Sequence, residues 1–201
     1  MSKRTVYLAP YLHTPSSFIG EKLDACVASL ESIGYIGYIN KIASAIVAVK
    51  PQRIYWEGVP AGIKPTEIAK TNPREKYCLQ SALLEKGCDL KSFEGLENVE
   101  LYKARCDTLM ALNNVPSHGF MHEILRELNE KIMRQCDEEW VKHVKLTIGE
   151  NEIRVMTYGE YHHPEIFLGD IDFRLIYEDL PQDNADMRNL MRTTWKALGI
   201  I

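Results

Sequence analysis

No C-x-x-C pair occurs among the five cysteines, Cys26, Cys78, Cys88, Cys106 and Cys136. Their odd number and scattered spacing argue against a disulfide frame or a structural zinc site, and point to reduced thiols in a cytoplasmic protein. No apolar run approaches the roughly 20 residues needed to cross a bilayer, so no membrane span is expected. The opening Met1-Ser2-Lys3-Arg4 is basic, but Pro10 and His13 interrupt the apolar stretch after it, so a signal peptide is not expected either. Positive charge is not in excess: 24 Lys and Arg stand against 28 Asp and Glu, a net charge of −4. Without a basic stripe, a nucleic-acid partner is not expected. A G-x-S-x-G elbow, a Walker loop and a G-x-G-x-x-G turn are all missing, which removes the usual signatures of serine hydrolases, P-loop enzymes and dinucleotide binders.

What is present is enough for one ordinary globular domain over residues 1–201, with 45 % hydrophobic and 26 % charged residues. Thr5 to Ala9 reads as a strand, followed by a turn and a helix carrying Phe18, Leu23, Val27 and Leu30. Gly34 and Gly37 break the pattern before a second helix, Ile42 to Val49. Arg53 to Trp56 reads as the next strand, and Pro73 opens a helix through Leu84. Asp89 to Phe93 is a weaker strand candidate that ends in Glu94-Gly95. The stretch from about 97 to 143 is largely helical and reads as a cap or insertion. Residues 144–158 return to strand, with Gly149-Glu150-Asn151 as a candidate hairpin turn. Phe173 to Tyr177 and a helix from Asp186 to Leu198 close the chain. Strands alternating with helices imply an α/β fold: a central, mainly parallel or mixed sheet flanked by helices, with a largely helical middle segment.

Two histidines follow apolar runs at corresponding places. His13 comes after Val6 to Leu12, and His162 after Ile153 to Tyr158 and Gly159-Glu160-Tyr161. Between them, Arg53-Ile54-Tyr55-Trp56 leads into Glu57. Loops at the carboxyl ends of strands are where α/β folds bind ligands. Imidazole and carboxylate there suit a divalent ion such as Mn, Co or Zn, or metal-free acid–base work on water. Phe93-Glu94-Gly95 echoes Trp56-Glu57-Gly58, which makes Glu94 a fourth candidate. His118 and His122 stand four apart, a chelating spacing on a helix, but Gly119 removes the H-E-x-x-H signature. His143, beside Lys142 and Lys145, reads as solvated, and Tyr35, Tyr38, Tyr55 and Trp56 as pocket or core aromatics.

These motifs resemble the superfamily that unites the TraB and Tiki proteins, the haem-binding ChaN proteins and the erythromycin esterases. Gly159-Glu160-Tyr161-His162 is similar to its second G-x-x-H, and Lys50-Pro51 through Glu57 to its glutamate segment. Pro10-Tyr11-Leu12-His13 is similar to its first G-x-x-H, with Pro10 where that pattern has Gly. The later glutamate segment corresponds to Glu94 or to Glu97. The resemblance implies a central pocket with His13, Glu57 and His162 as the site, Glu94 beside them, and activities ranging from metal-dependent peptidase to esterase to haem binding. The expectation is a hydrolase that activates water on a peptide or ester bond. Its substrate is a peptide or small molecule; in the metal form His13, Glu57 and His162 hold the ion and Glu94 is the base. A haem- or metal-binding protein without turnover is the alternative.

Overall fold

The computed structural model describes residues 4–12, 21–60, 79–89, 92–167, 169 and 171–199. Five strands, β1 (Thr5–Tyr11), β2 (Arg53–Pro60), β3 (Phe93–Glu97), β4 (Ile153–Gly159) and β5 (Asp172–Leu175), form one sheet in the order β3-β2-β4-β1-β5. All its pairings are parallel. The helices described are α1 (Glu21–Ser32), α2 (Tyr35–Ala48), α3 (Leu79–Glu85), α4 (Val99–Asn113), α5 (Phe120–Thr147) and α6 (Leu180–Ala197), with a 3-10 turn over Pro164–Phe167. The fold is the expected α/β class. None of the described helices is long and apolar enough to cross a membrane.

Both faces of the sheet are covered, which is why its strands read as continuous apolar runs. On β1, Ala9 and Tyr11 join a core with α1, α2, α3 and α6, while Val6 and Leu8 join a second core under α5. Helix α2 buries Tyr35, Tyr38, Ile39, Ile42, Ala43 and Ile46, the spacing of a single wide apolar stripe. Each such aliphatic side chain contributes about 1.5–3 kcal/mol when fully buried. Gly34, at φ 76°, makes the turn between α1 and α2, a conformation that glycine adopts without strain. Gly37 is accommodated inside α2, so that helix starts seven residues before the expected Ile42.

Three readings of the chain change. The strand placed at Asp89–Phe93 is β3, starting at Phe93, so Glu94 stands near its amino end and Glu97 closes it. Asn98 explains the shift, because its side chain accepts from the backbone N–H of Glu100 and Leu101 and opens α4 directly afterwards. The Gly149–Asn151 turn joins α5 to β4, which pairs in parallel with β1 and β2, so there is no hairpin. Asn151 takes φ 61° there, a left-handed conformation that asparagine tolerates. His118 precedes α5, whose first residue is Phe120, so His118 and His122 do not share a helix face.

The connections set the site. Helix α3, on the way from β2 to β3, packs in the core shared with α1, α2 and α6, whereas Phe167, after β4, packs on the α5 side. Helix α3 and Phe167, which follow the adjacent strands β2 and β4, thus lie on opposite faces of the sheet, the arrangement in which α/β folds bind ligands at the strands' carboxyl ends.

Candidate functional site

Glu57 sits on β2 just past Trp56, the last residue in register with β4. Its Oε2 accepts from the backbone N–H of Gly159, the final residue of β4. Its Oε1 lies 2.8 Å from Nη1 of Arg105 on α4. The carboxylate is thus buried but held by a cation and a main-chain donor, the condition under which a buried charge persists.

From Gly159 the chain turns, His162 N–H donating back to Gly159 C=O at 3.0 Å, and this turn places His162 beside Glu57. The imidazole is 2 % exposed. Its Nδ1 lies 2.6 Å from Asp137 Oδ1 on α5, and Asp137 Oδ2 accepts from the backbone N–H of His163 at 2.9 Å. Its Nε2 lies 3.2 Å from Glu57 Oε1, too poorly aligned for a hydrogen bond. The ring stacks on Trp140, with centroids 4.4 Å apart. Burial alone would push this imidazole down, but the carboxylates of Asp137 and Glu57 on either side outweigh it and raise the pKa to about 9. At neutral pH His162 is an imidazolium between two carboxylates.

Burial also opposes the charge on Arg105, yet Glu57, and more weakly Glu97, hold its pKa above the ordinary arginine value. Glu97 is 1 % exposed. The Cys136 thiol is pushed up to about 12, first by burial and then by Glu97, so it remains protonated and is no nucleophile.

Of the residues singled out from sequence, Glu57 and His162 meet here. His13 lies outside the described residues; the anchorage just before it lies within them. Leu12 N–H donates to the Tyr38 hydroxyl at 2.9 Å, and Leu12 C=O accepts from the Tyr35 hydroxyl at 2.5 Å. Tyr38 in turn donates to Asn184 Oδ1 at 2.7 Å, and Asn184 Nδ2 donates to Pro10 C=O at 3.1 Å. Both tyrosines expected as pocket or core aromatics therefore use their hydroxyls to fix the end of β1.

Glu94 is placed elsewhere. It is opposite Tyr55 in register, with Oε1 2.5 Å from His143 Nε2 and Oε2 2.5 Å from Arg53 Nη1. Its expected position beside Glu57 and His162 at the carboxyl ends is not what the strand boundaries give; the carboxylate on the site's side of β3 is Glu97. His143, expected to be solvated, is half-buried in that ion pair.

Asp137, Trp140 and Arg105 were not foreseen. Asp137 carried a readable signal, an acidic residue among Ile132, Cys136, Trp140, Val141 and Val144, the buried face of α5. Arg105 carried none, because α4 has no sharply apolar face. Among the described residues no three His, Cys, Asp or Glu side chains are grouped to hold a metal ion. No protein-family model matches this chain, and neither a curated protein nor a solved structure does.

Proposed function

We propose that this chain is a hydrolase acting on an ester or peptide bond, with Glu57 and His162 as its acid–base pair. The observation that carries this reading is the 3.2 Å approach of His162 Nε2 to Glu57 Oε1, both side chains buried. His162 is held from behind by Asp137 and Glu57 from behind by the Gly159 N–H, while Arg105 bonds the facing Oε1. Glu57, ionised beside Arg105, takes a proton from water as the oxygen attacks the carbonyl carbon. When the tetrahedral intermediate collapses, His162 donates its Nε2 proton to the leaving alcohol or amine. The proton on Glu57 then passes to the imidazole, and both groups are restored. Arg105 supplies positive charge where negative charge builds on the carbonyl oxygen. Low exposure strengthens each of these interactions. The resemblance to the erythromycin esterases and TraB proteins supports the same pair of residues.

A second reading, a bound divalent ion, is favoured by one feature. A carboxylate on Nδ1 with Nε2 left without an aligned partner is how proteins orient metal-ligating histidines. His162 and Glu57 would hold the ion, with His13 as third donor, and the ion would lower the pKa of its bound water. The donor set fits only in part, because Arg105 occupies Glu57 Oε1 and His162 carries a proton to be displaced. The acid–base steps need no ion.

The test is hydrolysis of p-nitrophenyl acetate and of an unstructured casein digest by the wild type and Glu57→Gln, with and without a chelator. Turnover that survives the chelator and falls about a hundredfold or more in the variant supports the acid–base pair. Plasma mass spectrometry and an absorbance scan of the wild type and His162→Ala decide the second reading. A stoichiometric ion, or a haem band, that is lost in the variant would overturn the acid–base mechanism in favour of the bound group.

A further inference from the structure

Beside Asp137, α5 and the turn after β4 enclose a groove of about 270 Å³, lined chiefly by Met133, Arg134, Tyr161, His163, Ile166 and Phe167. This is just under the usual range for pockets that hold drug-sized ligands, so it suits a fragment-sized one. Its walls are apolar and aromatic, and Tyr161 and Ile166 stand 69 % and 68 % exposed. Apolar side chains that exposed, and gathered in one concavity, mark a place where something binds.

Charge decides what binds. The Arg134 guanidinium lies 5.8 Å from the centroid of the Phe167 ring, and among the described residues no carboxylate is within ion-pair distance of it. Of the two carboxylates on the groove, Asp137 is engaged with His162 and the His163 N–H, and Glu130, exposed to solvent, comes nearest to Arg126, at 4.0 Å, and not to Arg134. Arg134 is therefore the charge left to be answered, and it stands beside aromatic walls. Guanidinium bonds carboxylate bidentately, and its back face rests on an aromatic ring while it does so.

We propose that this groove is a binding site for a small carboxylate with an apolar, ring-sized body. The body lies among Met133, Tyr161, Ile166 and Phe167, and its carboxylate pairs with Arg134. This inference does not rest on the hydrolase reading, since neither Glu57 nor His162 lines the groove, which reaches the pair through Asp137 and through the chain neighbours Tyr161 and His163.

The probe is 1-naphthaleneacetate, with the uncharged 1-naphthaleneacetamide as control, each titrated by ligand-observed NMR into the whole chain. The acid is expected to bind about tenfold tighter than the amide, the worth of one charge-assisted pair. Arg134→Gln, which keeps the stem of the side chain, is expected to abolish that preference while circular dichroism stays unchanged. Tyr161→Ser should weaken acid and amide alike, and Phe120→Ser, at the far end of α5, should change neither. Equal affinity for acid and amide, a preference that survives Arg134→Gln, loss of binding in Phe120→Ser, or no binding at all would each overturn the proposal. Glu57→Gln is expected to bind the acid as the wild type does, whatever its turnover.

Discussion

Asp137 Oδ1 lies 2.6 Å from Nδ1 of His162, and the other oxygen of the same carboxylate holds the next backbone N–H. One side chain on α5 thus fixes both the ring and the turn that carries it. The geometry predicts that Asp137→Asn, which keeps the shape and removes the charge, lowers the His162 pKa from about 9 toward the ordinary histidine range. Ring-proton NMR against pH measures it. If His162 acts as proposed, turnover at neutral pH falls severalfold, about fourfold for a full return to the ordinary value, because the imidazolium that donates to the leaving group is no longer the main form. An unchanged titration would mean that Asp137 does not set the charge of the ring.

Stability should depend on pH through the same ring. The folded-state pKa of His162 is raised from 6.5 to about 9, so the native chain binds this proton more tightly than the unfolded chain. Its contribution is fully present below pH 6.5, declines above it, and is gone once the pH passes about 9. The gap between these values corresponds to on the order of 3 kcal/mol. Cys136, up at about 12, and Tyr38, also raised by burial, keep their protons in the native chain; their own losses begin where the unfolded thiol and phenol ionise, at the top of this range, and are shared by wild type and variant. Urea unfolding from pH 6 to 10 should show the loss in the wild type and a flatter profile in His162→Gln. Equal slopes would refute the assignment.

Arg105 is the counterion that keeps Glu57 charged inside the protein. Removing it in Arg105→Met leaves a carboxylate that is 7 % exposed with its main-chain donor and the His162 ring at 3.2 Å, but without the guanidinium that hydrogen-bonds it. Because Arg105 is itself 21 % exposed, the cost should fall below that of a fully buried pair, about 2–3 kcal/mol by chemical denaturation. The double variant Arg105→Met, Glu57→Gln should recover part of it, since no bare charge is then left. A double variant as unstable as the sum of its parts would show that the pair is not coupled.

The class of fold was legible because the strands announce it. Val6–Leu12 and Ile153–Tyr158 carry apolar side chains on both faces, with Arg154 and Thr157 as the polar exceptions, the pattern of a sheet covered on both sides. Glu57 and His162 were legible for the same reason, as polar residues at the ends of such runs. Glu94 misled because an aromatic-Glu-Gly echo fixes no register; β3 starts at Phe93, which moves the carboxylate by most of a strand's length. Arg105 and Asp137 come from helices 48 and 25 residues away from their partners in the chain, and local periodicity says nothing about which helices cover which strand ends. The apolar positions on α5 show the same limit. Ile132 and Val141 are buried, but Phe120 is 77 % exposed, because the first turns of that helix run past the edge of what they would cover.

The end of β1 gives the last prediction. Leu12 has both backbone groups bonded to side chains of one helix, its N–H to Tyr38 and its C=O to Tyr35, and these rings pack with centroids 5.6 Å apart. Neither bond belongs to the sheet ladder, so Leu12, just past the end of β1, is held by α2. Removing either hydroxyl leaves a buried backbone group without its partner, which costs about 1–3 kcal/mol. Tyr38→Phe should cost more than Tyr35→Phe, because it also strips Asn184 Oδ1 of a donor. The two substitutions should not add, since once the first has freed Leu12 the second has less order to destroy. Thermal unfolding of the two single variants and the double variant measures the coupling. Strict additivity would mean that each tyrosine stabilises its own surroundings and that neither holds the strand end in place.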